Sequence, residues 1–145
     1  MSTMVKEYMT KEINTITYDA TITDAAKVMA ADKNFEGYVV VLKKSKPLGI
    51  ITERDLVNEV MAKEIDPSKV NLTEIMSTPL ITIDPDEDLL EASKLMLENN
   101  IRKLVVMKGE IIYGVITAKD IAQHGNKYIT RAIRDILRWT VPRFS

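Results

Sequence analysis

Gly49-Ile50-Ile51-Thr52-Glu53-Arg54-Asp55 and Gly114-Val115-Ile116-Thr117-Ala118-Lys119-Asp120 share one pattern, and that pattern sets the fold. Each begins as a small-apolar-apolar run of buried-strand type and passes straight into a helix. Thr52 and Thr117 stand where a helix N-cap belongs, since a hydroxyl there accepts a bond from an unpaired backbone N–H. Asp55 and Asp120 follow three residues later as the reciprocal half of a Thr-x-x-Asp capping arrangement. Taken singly, each is a capped helix, and a cap contributes about 1 kcal/mol. Their recurrence within a longer repeat gives them a second meaning.

The repeat runs outward from these motifs. Val5-Lys6-Glu7-Tyr8-Met9-Thr10 is answered by Leu72-Thr73-Glu74-Ile75-Met76-Ser77, 67 positions on, and the register holds through Asp24/Glu91 and Met29/Met96. It then drops to 65, so that Val40/Val105, Gly49/Gly114 and Asp55/Asp120 align. The two extra residues of the first copy fall around Asn34 to Gly37, a loop where insertion costs least. Each copy reads as a short extended segment (Ile13 to Ile16; Leu80 to Ile83) and a helix opened by Thr21 with Asp24, or by Asp88 with Glu91. A strand follows (Tyr38 to Leu42; Leu104 to Met107), then a turn, the motif strand, and a closing helix at Glu53 to Lys63 or Ala118 to Gln123. The turns are Lys43 to Pro47 and Lys108 to Glu110, with Gly109 suited to positive φ. Ile22, Ala25, Ala26, Met29 and Ala30, like Leu89, Ala92, Met96 and Leu97, form core-facing stripes. The fold class is α+β: tandem β-α-β-β-α repeats packed about an approximate two-fold axis, with a C-terminal amphipathic helix. The expected boundaries are 1–66, 67–125 and 126–145.

Composition narrows the function. The chain has 145 residues, 46% of them hydrophobic and 28% charged, which is core-forming material without the signature of disorder. It has no cysteine, which excludes disulfides, thiolate nucleophiles and zinc-thiolate sites and fits a cytoplasmic setting. No apolar run approaches the roughly 20 residues that span a bilayer. The one histidine, His124, is expected as a charge partner at a helix C-terminus. Asp84, Asp86, Glu87 and Asp88 are expected to complement a turn and a helix start rather than hold a metal. No Walker loop, G-x-G-x-x-G or catalytic triad is present, so the chain reads as no enzyme. Net charge is −1, but Lys127, Arg131, Arg134, Arg138 and Arg143 against Asp135 make the tail +4. In that tail Ile129, Ala132, Ile133, Ile136 and Leu137 form an apolar stripe opposite Arg131, Arg134, Asp135 and Arg138. Trp139, Val141 and Phe144 add apolar bulk around Pro142. The expected use is docking on its own repeats or on a dimer partner. A hook for another protein, or a basic patch for nucleic acid or an anionic membrane, is the less favoured use.

The two motifs at fixed places in a repeating unit, with the openings VKEYMTKEINTI and LTEIMSTPLITI, resemble a pair of cystathionine β-synthase (CBS) domains. The resemblance spans Val5 to Gln123. It implies two symmetry-related clefts between the repeats, a regulatory role through adenosine-containing ligands (AMP, ADP, ATP or S-adenosylmethionine), and assembly into homodimers. It implies no metal beyond one carried by the nucleotide. By the same resemblance the motif Asp accepts ribose hydroxyls and the Thr contacts phosphate, and strand residues of the other repeat complete each site. One site would join Thr52, Arg54 and Asp55 with Leu80, Ile81, Ile101, Arg102 and Lys103. The other would join Thr117, Lys119 and Asp120 with Ile13, Asn14, Gly37 and Tyr38, backbone groups of the strands reading the adenine edge. Arg54, Arg102 and Lys103 suit the first to di- or triphosphate, whereas Glu36 beside Lys119 suits the second to a less charged ligand, or leaves it vacant. The regulated partner is not named by the sequence. The competing reading is a ligand-free interaction protein that acts through its basic tail.

Overall fold

The computed structural model describes residues 3–124, 134–136 and 138. After a 3-10 turn at Val5–Glu7, the chain forms β1 (Thr15–Thr17), α1 (Ile22–Ala31), β2 (Tyr38–Lys43), β3 (Lys46–Thr52) and α2 (Glu53–Leu56). A π-helical turn (Val57–Met61), a 3-10 turn (Pro67–Lys69) and α3 (Leu72–Ile75) follow. The second copy gives β4 (Thr82–Ile83), α4 (Leu89–Asn99), β5 (Lys103–Lys108), β6 (Ile111–Thr117) and α5 (Ala118–His124). Each repeat is the expected β-α-β-β-α. Each sheet has three strands, in the orders β1-β2-β3 and β4-β5-β6. The first pair of each is parallel across the helical crossover, and the second is an antiparallel hairpin.

Local chemistry explains these elements. Thr21 and Asp24 form a full capping box at α1, as expected, and Asp88 accepts from Leu90 N at the start of α4. The β2–β3 turn is tighter than the sequence suggests. Lys44 and Ser45 both take positive φ (51° and 65°), so the strand resumes at Lys46 and absorbs Pro47 beside a register shift at Val41/Leu42. Gly109 has φ 62°, as its place in the second hairpin anticipates. The helix expected over Glu53 to Lys63 is α-helical only to Leu56. Beyond it Ala62 N bonds Val57 O at 2.7 Å and Ile65 N bonds Val60 O at 3.0 Å, the wider spacing of a π turn. That turn buries Val60 while leaving Val57 and Met61 exposed.

The chain divides into two compact units that do not follow the repeats in order. One comprises 13–80; the other joins the described residues up to Glu12 to those from Ile81 onward. The first unit's core holds Ile22, Ala25, Met29, Val39, Val41, Ile51 and Val60, together with Leu72 and Ile75 from α3. The second holds Ile83, Leu89, Ala92, Met96, Leu104, Val106, Ile116 and Ile121, together with Val5. Each unit thus takes the opening segment of the other repeat. The exchange is sealed by backbone bridges at equivalent places. Thr10 and Val115 bond each other in both directions at 2.9 and 3.0 Å, and Ser77 and Ile50 do so at 2.9 and 3.3 Å. In the second unit Lys6 and Lys108 also grip Asp86 at 2.9 and 3.2 Å, and Thr3 bonds Asp88. His124, the last residue of α5, packs its ring 5.5 Å from that of Tyr8, a contact the helix-charge expectation omits.

Of the tail, Arg134 to Ile136 and Arg138 are helical. Ile136 is 1% exposed in the second core, while Arg134, Asp135 and Arg138 are exposed, as a docked amphipathic helix requires. The other tail positions in the proposed stripe and basic face (Lys127, Ile129, Arg131, Ala132, Ile133, Leu137) lie outside the described residues. So do Trp139, Val141, Pro142, Arg143 and Phe144.

Candidate functional site

Each motif strand ends beside the start of the strand it pairs with. Thr52 lies opposite Tyr38, and Glu53 N donates to Gly37 O at 3.0 Å. In the second unit Thr117 lies opposite Lys103, and Ala118 N donates to Arg102 O at 2.8 Å. The extended backbone of Thr52 (φ −112°, ψ 166°) then opens the helix, and both capping boxes form. Asp55 N reaches Thr52 Oγ1 at 3.3 Å, while Asp55 Oδ2 accepts from Thr52 N at 2.8 Å and from its hydroxyl at 3.1 Å. Asp120 N and Thr117 Oγ1 are 3.0 Å apart, as are Thr117 N and Asp120 Oδ2.

This geometry reserves one oxygen of each carboxylate. Oδ2 is taken by the cap; Oδ1 of Asp55 and of Asp120 receives no bond from a described residue. Both side chains are half-buried. An ionised carboxylate with one oxygen anchored and the other open is a fixed acceptor, suited to a vicinal diol. The helix start offers less to an anion than the sequence implies. Its first amide is spent on Gly37 O or Arg102 O and its third on the Thr hydroxyl. Thr117 itself is 3% exposed. Arg54, Lys119 and Arg102 are exposed and make no ion pair with a described residue.

Of the residues expected at the two sites, Ile13, Asn14, Gly37, Tyr38, Thr52, Arg54, Asp55 and Leu80 fall in the first unit. Ile81, Ile101, Arg102, Lys103, Thr117, Lys119 and Asp120 fall in the second. Within the first, Asn14, Gly37 and Tyr38 gather beside Thr52; within the second, Arg102 and Lys103 gather beside Thr117. Ile81 and Ile101 are half-buried against the second core, and Tyr38 is buried at 2% exposure. Lys103, Leu80 and Ile13 are half-buried.

Asp32 is a residue the sequence reading passed over. Placed just after α1, its Oδ2 accepts from Asn14 Nδ2 at 2.8 Å and Glu36 N at 3.1 Å, and its Oδ1 from Asn34 N at 3.0 Å. Burial pushes its carboxyl up, but these three bonds outweigh burial and hold it below the usual carboxylate range. The network sets the path of the two-residue insertion into Gly37, whose φ of 63° a side chain would strain. The signal was an Asp ending a helix two residues before Asn34 and four before Glu36. Among the described residues no group of three or more His, Cys, Asp and Glu could hold a metal, and no helix is long and apolar enough to cross a membrane.

The family model described as CBS domain matches residues 5–62 and 72–126. An uncharacterised protein of Methanopyrus kandleri is 44% identical over 87 residues, which cover 59% of this chain and 44% of that protein. The chain therefore spans less than half the length of this curated relative. The hexameric CBS-CP12 protein from bloom-forming cyanobacteria superposes with a TM-score of 0.77 at 30% identity, covering 87% of this chain and 74% of that one. The CBS domain pair of protein MJ0100, solved in complex with 5′-methylthioadenosine and S-adenosyl-L-methionine, gives a TM-score of 0.74 at 26% identity, covering 83% and 98%.

Proposed function

The chain belongs to the CBS-domain family, and we propose that it is a regulatory module that binds an adenosine-containing ligand and passes its occupancy to a partner. The observation that carries this reading is the pair of half-committed carboxylates. Asp55 and Asp120 each hold a helix start with Oδ2 and keep Oδ1 for a ligand hydroxyl. The adenosyl ligands in the related MJ0100 pair support the ligand class. In this reading the module acts by binding. One binding set centres on Asp55, with the exposed Arg54 supplying charge for phosphate. The other centres on Asp120 and takes a ligand of lower charge. Occupancy is transmitted as a population shift, limited by the ligand's differential affinity for two arrangements of the protein. Self-association, proposed here as a homodimer, accords with the hexameric relative.

Calorimetry with AMP, ADP, ATP and S-adenosylmethionine, beside Asp55→Ala and Asp120→Ala, tests the proposal. Saturable binding of at least one ligand, lost in one variant, is the expected result. Absence of binding by all four would transfer attention to the tail.

A further inference from the structure

Asn14 stands just before β1, and its backbone is already committed. Its carbonyl accepts from Val40 N at 2.8 Å, and its N–H is directed to Tyr38 Oη at 3.4 Å. It is thus poorly placed to read a base edge with main-chain groups, which is how the sequence reading used it. The side chain is different. Asn14 Nδ2 donates to Asp32 Oδ2 at 2.8 Å and to the Tyr38 carbonyl at 3.2 Å. Both partners are pure acceptors, a carboxylate and a carbonyl, so the amide has a single consistent orientation. The two N–H donors are consumed, and no described residue donates to Oδ1. Donation into an ionised carboxylate also polarises the amide and strengthens Oδ1 as an acceptor. The side chain is only part-buried and lies across β2 from the Thr52 motif strand, so this oxygen is open to a ligand.

We infer that Asn14 Oδ1 accepts a hydrogen bond from the exocyclic amine of a 6-aminopurine, making Asn14 a specificity residue and Asp32 the positioning residue that fixes its orientation. This rests on the ligand-binding function proposed above. A site that presents only an acceptor loses affinity for a purine that brings no donor to that point, because the acceptor is then desolvated without a partner.

The probes are AMP and purine riboside 5′-monophosphate, which lacks the amine and adds nothing, titrated by calorimetry into the full chain. The wild type should bind AMP about tenfold more tightly. In Asn14→Ala that ratio should fall to about one, chiefly through weaker AMP binding. In Asp32→Asn, whose new amide can donate to Asn14 Oδ1 and let the side chain turn, the ratio should shrink while both ligands still bind. A merely structural role for Asn14 would weaken both ligands together and leave the ratio intact, which overturns the inference. A wild type that binds both probes equally also overturns it, with the functional proposal standing. A wild type that binds neither probe overturns the inference, while the functional proposal is then decided by the titrations with ADP, ATP and S-adenosylmethionine.

Discussion

The carbonyl oxygen of Thr10 lies so close to Gly114 that a Cβ at that position would sit 2.5 Å from it. Ser77 and Gly49 repeat the relationship in the other unit at 2.6 Å. The glycine that opens each motif is therefore explained by the exchanged segment that crosses it, and not by a turn. Neither glycine has positive φ, and the constraint is backbone against Cβ. Gly49→Ala and Gly114→Ala should each destabilise the protein by about 2 kcal/mol, since a backbone oxygen cannot step aside as a flexible side chain can. Denaturant midpoints measure this, and a loss under about 0.5 kcal/mol would show that the bridge strand shifts freely.

Asp55 and Asp120 combine a cap with an open acceptor, and two substitutions separate these roles. Asp→Ala at either position should cost about 1 kcal/mol of stability together with ligand affinity. Asp→Asn should retain much of the cap, yet still weaken binding, because a neutral amide oxygen is a poorer partner for a diol than a carboxylate. Melting curves without ligand and titrations with it report on the two separately. Full affinity in Asp120→Asn and in Asp55→Asn would remove the carboxylates from the binding chemistry.

Asp86 gives the fold an acid-sensitive contact. Its carboxyl is held below the usual carboxylate range, foremost by the hydrogen bond from Lys6 and next by that from Lys108. A pKa depressed on folding contributes stability above the unfolded value, about 3.9, and that contribution is lost as pH falls through the lower folded value. Asp86→Asn should be less stable than the parent near neutral pH and converge with it as pH falls through the lowered folded value. The groups are about half exposed, so molar salt should also shrink the difference. A gap that persists unchanged at acid pH would assign the effect to packing.

The exchanged segments make a prediction about fragments. Leu72 and Val5 are both fully buried, each in the core of the unit that contains the other repeat's strands. Leu72→Ala should cost about 2–5 kcal/mol and loosen 13–80, read by hydrogen exchange in β2 and β3. A fragment covering 13–80 should be better ordered than one covering 1–66, which lacks Leu72 and Ile75. Equal order in the two would mean that α3 is dispensable.

Much of this architecture is legible in the residues. The repeat, the hairpins, the Thr–Asp caps and the positive φ of Gly109 follow from periodicity and turn chemistry, which are local. The exchange is not local. Met9 and Met76, or Thr10 and Ser77, are equivalent by repeat, so each would pair as well with either motif strand on sequence grounds. The π turn was hidden because Val57 and Met61 are apolar yet exposed, and they extend a helical stripe that the backbone abandons. The Asp32–Asn14 network depends on the parallel pairing of β1 with β2, which brings together residues 18 apart.

Exchange of the opening segments also sets an order in time. The bridge between Ile50 and Ser77 closes over 27 residues, whereas that between Thr10 and Val115 closes over 105. A chain emerging from the ribosome can complete the 13–80 unit as soon as its own α3 is out. Residues 3–10, made before that unit, must wait for β6 before they have a strand to pair with. Long-range closure of this kind slows folding and leaves an apolar segment, here carrying Val5, exposed in the interval. The segment before β1 is thus made ahead of the 13–80 unit and placed after it.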